Sequence, residues 1–178
     1  GMKLMRCAAA LVLVLCSSAV LFAASWGETL DGKIDGAREA QVQSLQELLQ
    51  IKSYNHGSPT TPSEGVKKAL DHVLALGERM GFRTTKHPEY RFGYVEIGPE
   101  KSQEMVMVLV HLDTVPEGNE ALWNVAGPFE GKVVDGNIIG RGAYDDKGPA
   151  VTSMYALKAI KDAESPLNRR IRVFFGTS

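Results

Sequence analysis

The sequence predicts an α/β fold, a partly parallel sheet with helices on both faces, and three observations lead there. Two stretches, 61–81 and 148–163, repeat apolar residues at helical spacing and open with helix-start chemistry. Short apolar runs at 82–87, 90–97, 105–110 and 171–175 have the length and composition of strands. The two kinds of segment alternate along the chain, which layers helices on a sheet.

Taken in order, the first element is a helix over 34–52, where Ile34, Val42, Leu45, Leu48, Leu49 and Ile51 fall mostly on one face. The segment 53–60 crowds Asn, Gly, Ser and Pro and reads as a loop. Thr61 is the expected N-cap of the next helix, with Pro62 at its first position and Glu64 three residues after the cap, placed to reach back to the cap N–H. Val66, Leu70, Val73 and Leu74 form its apolar face, and Gly81 suits the left-handed residue that closes it.

Two short strands follow, and then the run 105–110, continuous enough in apolar residues to predict a strand covered on both faces. Asp135-Gly136 centres a hairpin over 131–139, being a dipeptide that type I′ turns favour. Pro149 stands near the start of the helix 148–163, and 171–175 is the last strand. There is no internal repeat and no low-complexity tract.

Composition narrows the possible functions. With 44% hydrophobic and 23% charged residues and a net charge of -1, the chain has the make-up of one ordinary globular domain. Twenty Lys+Arg against 21 Asp+Glu leave no surplus to neutralise a phosphate backbone, which argues against a nucleic-acid partner. Arg169, Arg170 and Arg172 are read as solvated surface.

The first residues stand apart. Lys3 and Arg6 are followed by an uncharged run over 7–27, the layout of a secretory signal, with Ala23, Ala24 and Ser25 as a cleavage point and Gly1 as an expression scar. The run is also long enough, at roughly 20 residues, to serve as a membrane anchor. Lipid attachment at Cys16 is disfavoured by Leu15 before it. The expected organisation is a leader over 1–27 and one domain over 28–178, exported to a periplasmic or extracellular location and touching a membrane only if the leader stays. Cys7 and Cys16 both lie in the leader, so the domain has no thiol; any metal in it must be held by His, Asp or Glu.

The chemistry-bearing residues form two clusters. His111 and Asp113 follow the apolar run 105–110, at the carboxyl end of a strand, where open α/β sheets bind ligands. In extended backbone they point to one side, with Leu112 opposite. A histidine there can ligate a metal while a nearby carboxylate tunes it. His-x-Asp alone is a poor signal, and a solvated pair at a strand end is then the better reading.

The second cluster, Gly140-Arg141-Gly142-Ala143-Tyr144-Asp145-Asp146-Lys147-Gly148-Pro149, puts two carboxylates just before a helix, whose N-terminus favours their ionised form. Plain capping needs only one carboxylate. His56, His72 and His87 are read as surface or packing residues. No dinucleotide fingerprint, phosphate loop or nucleophile elbow is present.

With the run 111–116 (His-Leu-Asp-Thr-Val-Pro), the cluster 140–149 and the closing Phe175-Gly176-Thr177-Ser178 in that order, the sequence resembles the metallopeptidase family of dipeptidases, aminoacylases, glutamate carboxypeptidases and desuccinylases. The Asp-Asp-Lys-Gly-Pro form is most similar to the bacterial dipeptidase V and Xaa-His dipeptidase branch. The resemblance runs from about Thr61 to Ser178 and includes Trp123, Pro128, Phe129 and the Asp135-Gly136 hairpin.

This resemblance implies hydrolysis of dipeptides or short peptides at a binuclear site with a metal-bridged hydroxide. The metals would be two divalent ions, zinc first, with manganese or cobalt as alternatives. It implies His111 as a ligand of one metal, Asp145 as a bridge between both, and Asp113 as the carboxylate that supports His111. Asp146 is then a neighbour rather than a ligand, next to a peptide bond that can be cis. In the family, Gly-Thr-Ser precedes two glutamates, a general base and a metal ligand. Ser178 stops short of them and of the substrate-recognising lid, so the expectation is an N-terminal part that is inactive alone. An N-acyl amino acid deacylase (aminoacylase or desuccinylase), or a non-catalytic fragment binding metal or peptide, are the alternative readings.

Overall fold

The computed structural model describes residues 26–55, 61–164 and 166–178. Most of the expected leader and His56 lie outside the described residues. No helix among those described is long and apolar enough to cross a membrane.

Residues 26–36 are helical, and after a turn at Ala37 helix α1 runs Arg38–Leu49, burying Leu48 and Leu49 at its end. Helix α2 is Glu64–Arg79. It begins two residues later than Thr61 and Pro62 suggested, because Ser63 is the cap: its hydroxyl accepts the Val66 N–H at 3.3 Å. Glu64 turns to Lys67 at 2.6 Å instead of reaching back. At Gly77 a Cβ would stand 2.5 Å from Val95 Cγ1, so the missing side chain lets α2 lie directly on the sheet.

The sheet has the order β1-β2-β6-β3, built from β1 (Arg83–Lys86), β2 (Phe92–Ile97), β3 (Met105–His111) and β6 (Arg170–Gly176). β2 is antiparallel to β1 and β6, whereas β3 is parallel to β6, giving the partly parallel sheet expected. β4 (Lys132–Val134) and β5 (Asn137–Ile139) form a separate hairpin. Its turn has positive φ at both Asp135 (49°) and Gly136 (78°), as a type I′ turn requires. Helix α3 is Lys147–Asp162.

One sheet face carries the core. Val95 and Val173 sit opposite each other with Phe175 and Val110 beside them, buried under Leu70 of α2 and Met154 of α3. The described helices that touch the sheet pack on this face, so the expectation of helices on both faces holds for one face among the described residues.

Two expectations change as a result. β3 is an edge strand, not one covered on both sides, and Met107 and Leu109 on its other face are 49% and 68% exposed. Arg170 and Arg172 are not free surface either: on that same face they flank buried Glu96, with Arg172 Nη2 at 2.7 Å and Arg170 Nη1 at 3.7 Å from its carboxylate. Arg172 also stacks over Tyr94 at 3.6 Å.

Candidate functional site

Because β3 runs parallel to β6, their carboxyl ends reach the same rim, where His111 pairs with Gly176. The next residue, Leu112, donates its N–H to the Gly176 carbonyl at 3.0 Å and is fully buried in the core. Alternation then puts His111 and Asp113 on the opposite, open side. The Thr114 N–H donates to the Ser53 carbonyl at 2.9 Å, which fixes the chain as it leaves the strand.

The second cluster is held against this rim from the α3 side. The Arg141 N–H donates to the Pro128 carbonyl at 2.7 Å and the Lys147 N–H to the Gly142 carbonyl at 3.0 Å, closing a tight loop around Asp145 and Asp146. The Asp145–Asp146 peptide is cis. Asp146 occupies the N-cap position of α3 but makes no capping bond with its side chain. Its Oδ2 instead accepts the backbone N–H of His111 at 3.1 Å, across 35 residues of sequence. The capping alternative therefore does not describe this carboxylate.

The sequence-predicted residues meet. His111 Nε2 lies 2.9 Å from Asp145 Oδ1, and Nδ1 lies 3.0 Å from the Asp113 carbonyl oxygen and 3.5 Å from Asp113 Oδ1. A carbonyl oxygen only accepts, so Nδ1 carries the proton. The lone pair of a neutral imidazole is then on Nε2, facing a carboxylate oxygen. Two acceptors hold such a distance only with a cation between them, either a proton or a metal.

For the proton, the electrostatics agree. Burial alone would lower the pKa of His111, but the Asp113 carbonyl and the Asp113, Asp145 and Asp146 carboxylates outweigh it and raise it. For a metal, one imidazole and one carboxylate are donors that zinc, manganese and cobalt accept. The buried Asp113 Oδ1 has no hydrogen-bond partner and sits beside Nδ1, where an outer-shell carboxylate belongs. The residues thus fit part of a metal site. Among the described residues, no group of three or more His, Cys, Asp or Glu could hold an ion by itself. An open cavity of about 390 Å³ lies over the pair, lined by His111, Asp113, Arg141, Tyr144 and Asp145.

His72 and His87 are elsewhere, one 3.8 Å from Glu47 and the other against the Phe92 ring. Two buried residues at the site carried no obvious signal. Ser53 sits in what reads as a loop, and its hydroxyl donates to the Leu112 carbonyl at 2.7 Å. Lys147 is fully buried, donating to the carbonyls of Leu48 (3.0 Å) and Ile51 (2.7 Å). Burial lowers its pKa to about 8. A hint was available, since a lysine in the first turn of a helix opposes the helix dipole and needs a local reason.

The family model for Peptidase family M20/M25/M40 matches residues 107–178, from β3 through the two acidic residues to the end of β6. The chain belongs to this peptidase family. Among relatives, "Putative dipeptidase YtjP" of Bacillus subtilis (strain 168) is 38% identical over 144 residues, 79% of this chain and 30% of that protein. A "Putative dipeptidase" of Staphylococcus epidermidis is 34% identical over 140 residues, 76% of this chain and 29% of that protein. The chain therefore spans under a third of the length of these relatives.

Two solved structures share the fold of this chain. Human carnosine dipeptidase 1 superposes with a TM-score of 0.69 at 22% identity, covering 84% of this chain and 34% of that one. The di-peptidase Dug1p of Saccharomyces cerevisiae gives 0.68 at 19% identity, with the same coverage.

Proposed function

We propose that this chain forms the N-terminal part, over 28–178, of the catalytic domain of a metal-dependent peptidase acting on dipeptides or short peptides. The observation that carries the reading is the 2.9 Å approach of His111 Nε2 to Asp145 Oδ1 at the carboxyl rim of the sheet. It is supported by the family match and by relatives named as dipeptidases.

In this reading His111 and Asp145 are metal ligands, with Asp145 shared between two divalent ions, zinc first. Ions bound there would supply Lewis-acid polarisation of the scissile carbonyl and acidify a water. The chain's own residues do the rest of the work assigned here. The Asp113 carbonyl holds the Nδ1 proton, so that Nε2 keeps its lone pair for the ligand role. Asp113 Oδ1, buried beside the ring, favours electron donation by the imidazole. Asp146 fixes the His111 backbone. We further propose export through a leader over 1–27, which mass spectrometry of the mature N-terminus would test; an intact Met2 in the exported protein would oppose cleavage.

The test of function uses the full-length protein. Metal analysis and dipeptide hydrolysis with added zinc, manganese or cobalt should show bound metal and turnover, both lost in His111→Ala and Asp145→Ala. Dipeptide turnover that survives both substitutions would contradict the assignment.

A further inference from the structure

Three motif loops meet at the rim: the strand end after His111, the acidic loop before α3, and the β6 terminus at Thr177. They touch one another through the Leu112–Gly176 and Asp146–His111 hydrogen bonds and the His111–Asp145 contact. One peptide segment, residues 48–55, touches each of them with buried or half-buried polar contacts.

At its start, the Leu48 and Ile51 carbonyls accept from Lys147 Nζ. Leu48 lies in the last turn of α1, where carbonyls run out of helical partners, and its oxygen also accepts the Ile51 N–H at 3.3 Å. In its middle, Ser53 is fully buried and bonds the strand end twice: its hydroxyl donates to the Leu112 carbonyl, and its own carbonyl accepts the Thr114 N–H. Tyr54 adds a parallel bridge to Thr114. At its end, the Asn55 side-chain amide donates to the Thr177 carbonyl at 2.8 Å, and its oxygen accepts the Ser63 N–H at 3.0 Å.

The segment is also pressed from outside. A Cβ on Gly65 would stand 1.8 Å from the Lys52 carbonyl oxygen, so α2 lies on the segment at backbone contact. Lys147 is the only one of these anchors that is adjacent in sequence to the acidic pair.

We infer that residues 48–55 are a positioning strut for the site, and that Lys147 and Ser53 are positioning residues acting through it. Lys147 ties the acidic loop to one end of the strut. Ser53 ties the strand end carrying His111 and Asp113 to its middle. The separation of His111 from Asp145 is then set by a third segment rather than by the two ligand loops alone. What the strut serves rests on the proposed metal-ligand roles; its mechanical linkage does not.

Hydrogen exchange of the metal-free full-length protein tests the linkage. Lys147→Met should raise exchange at 51–54 and also at 112–114, by about tenfold or more given the loss of charged hydrogen bonds. Exchange across the middle of α2 should stay at the wild-type level. Ser53→Ala should give the same two-site pattern from the other end, and it carries the test if Lys147→Met fails to fold.

Metal affinity supplies the second readout: each variant should weaken it, and the double variant should fall short of the product of the single effects, as expected for residues sharing one element. Unchanged exchange at 112–114 in either folded variant would overturn the strut. Absence of metal from the wild type would instead sink the proposed function and leave the exchange result to decide the strut.

Discussion

Asp146 Oδ2 accepts the backbone N–H of His111 at 3.1 Å, joining the acidic loop to the end of an edge strand. At that edge the N–H has no neighbouring strand to pair with among the described residues, where β3 borders only β6. The carboxylate takes the place of a ladder partner and fixes the backbone from which the imidazole projects. We predict that Asp146→Ala weakens metal binding by about 10–100-fold, the scale of supporting contacts around a ligand. Asp146→Asn keeps an acceptor and should lose less. Calorimetric titration with zinc distinguishes them; equal affinity in wild type and Asp146→Ala would remove this role.

Asp113 is expected to act through His111 rather than on substrate. Replacing it with Ala leaves the backbone carbonyl that holds the Nδ1 proton but removes the buried carboxylate 3.5 Å away. Metal affinity or rate should fall roughly 10–100-fold without loss of fold. Wild-type kinetics in this variant would make Asp113 a bystander.

How much of this was legible in the sequence depends on the range of the interaction. The strand ending at His111, the Asp135-Gly136 turn and the helix after the acidic pair follow from local periodicity and turn chemistry, and they appear where those signals put them. The juxtaposition of His111 with Asp145 was available only through resemblance, since no local rule brings together residues 34 apart. The exposed face of β3 was misread because a continuous apolar run reports hydrophobicity and not what covers it. Ser53 and Lys147 escaped notice for a related reason. A serine in a loop and a lysine beside aspartates look solvated until their distant backbone acceptors are known.

Glu96 is expected to make folding acid-sensitive. It is buried, which alone would raise its pKa, but the hydrogen bonds from Arg172 and Arg83 and the charge of Arg170 lower it overall. A carboxylate with a depressed folded pKa contributes stability that is present above its unfolded value and lost as pH falls through the folded value. Stability should therefore decline below pH of about 4.5. Glu96→Gln should remove that part of the decline and cost about 2 kcal/mol at neutral pH, because the flanking arginines lose a charged acceptor. Urea unfolding between pH 3 and 7 measures both; an unchanged acid limb in the variant would show that other groups control it.

Gly77 marks where α2 meets the sheet. Alanine improves helix propensity by about 1 kcal/mol. It also places a Cβ 2.5 Å from Val95 Cγ1 in the packed core, where crowding costs about 1–3 kcal/mol. We expect Gly77→Ala to be net destabilising by about 1 kcal/mol in thermal or urea unfolding. A stabilised variant would mean that α2 can shift away from Val95 at little cost.

The most direct measurement is a crystal structure of the zinc-loaded full-length protein, with anomalous scattering recorded at the zinc edge. The expected result is a zinc peak at about 2.0–2.2 Å from both His111 Nε2 and an Asp145 carboxylate oxygen, in place of their present contact. Zinc bound elsewhere, with His111 and Asp145 still paired to each other, would contradict the account.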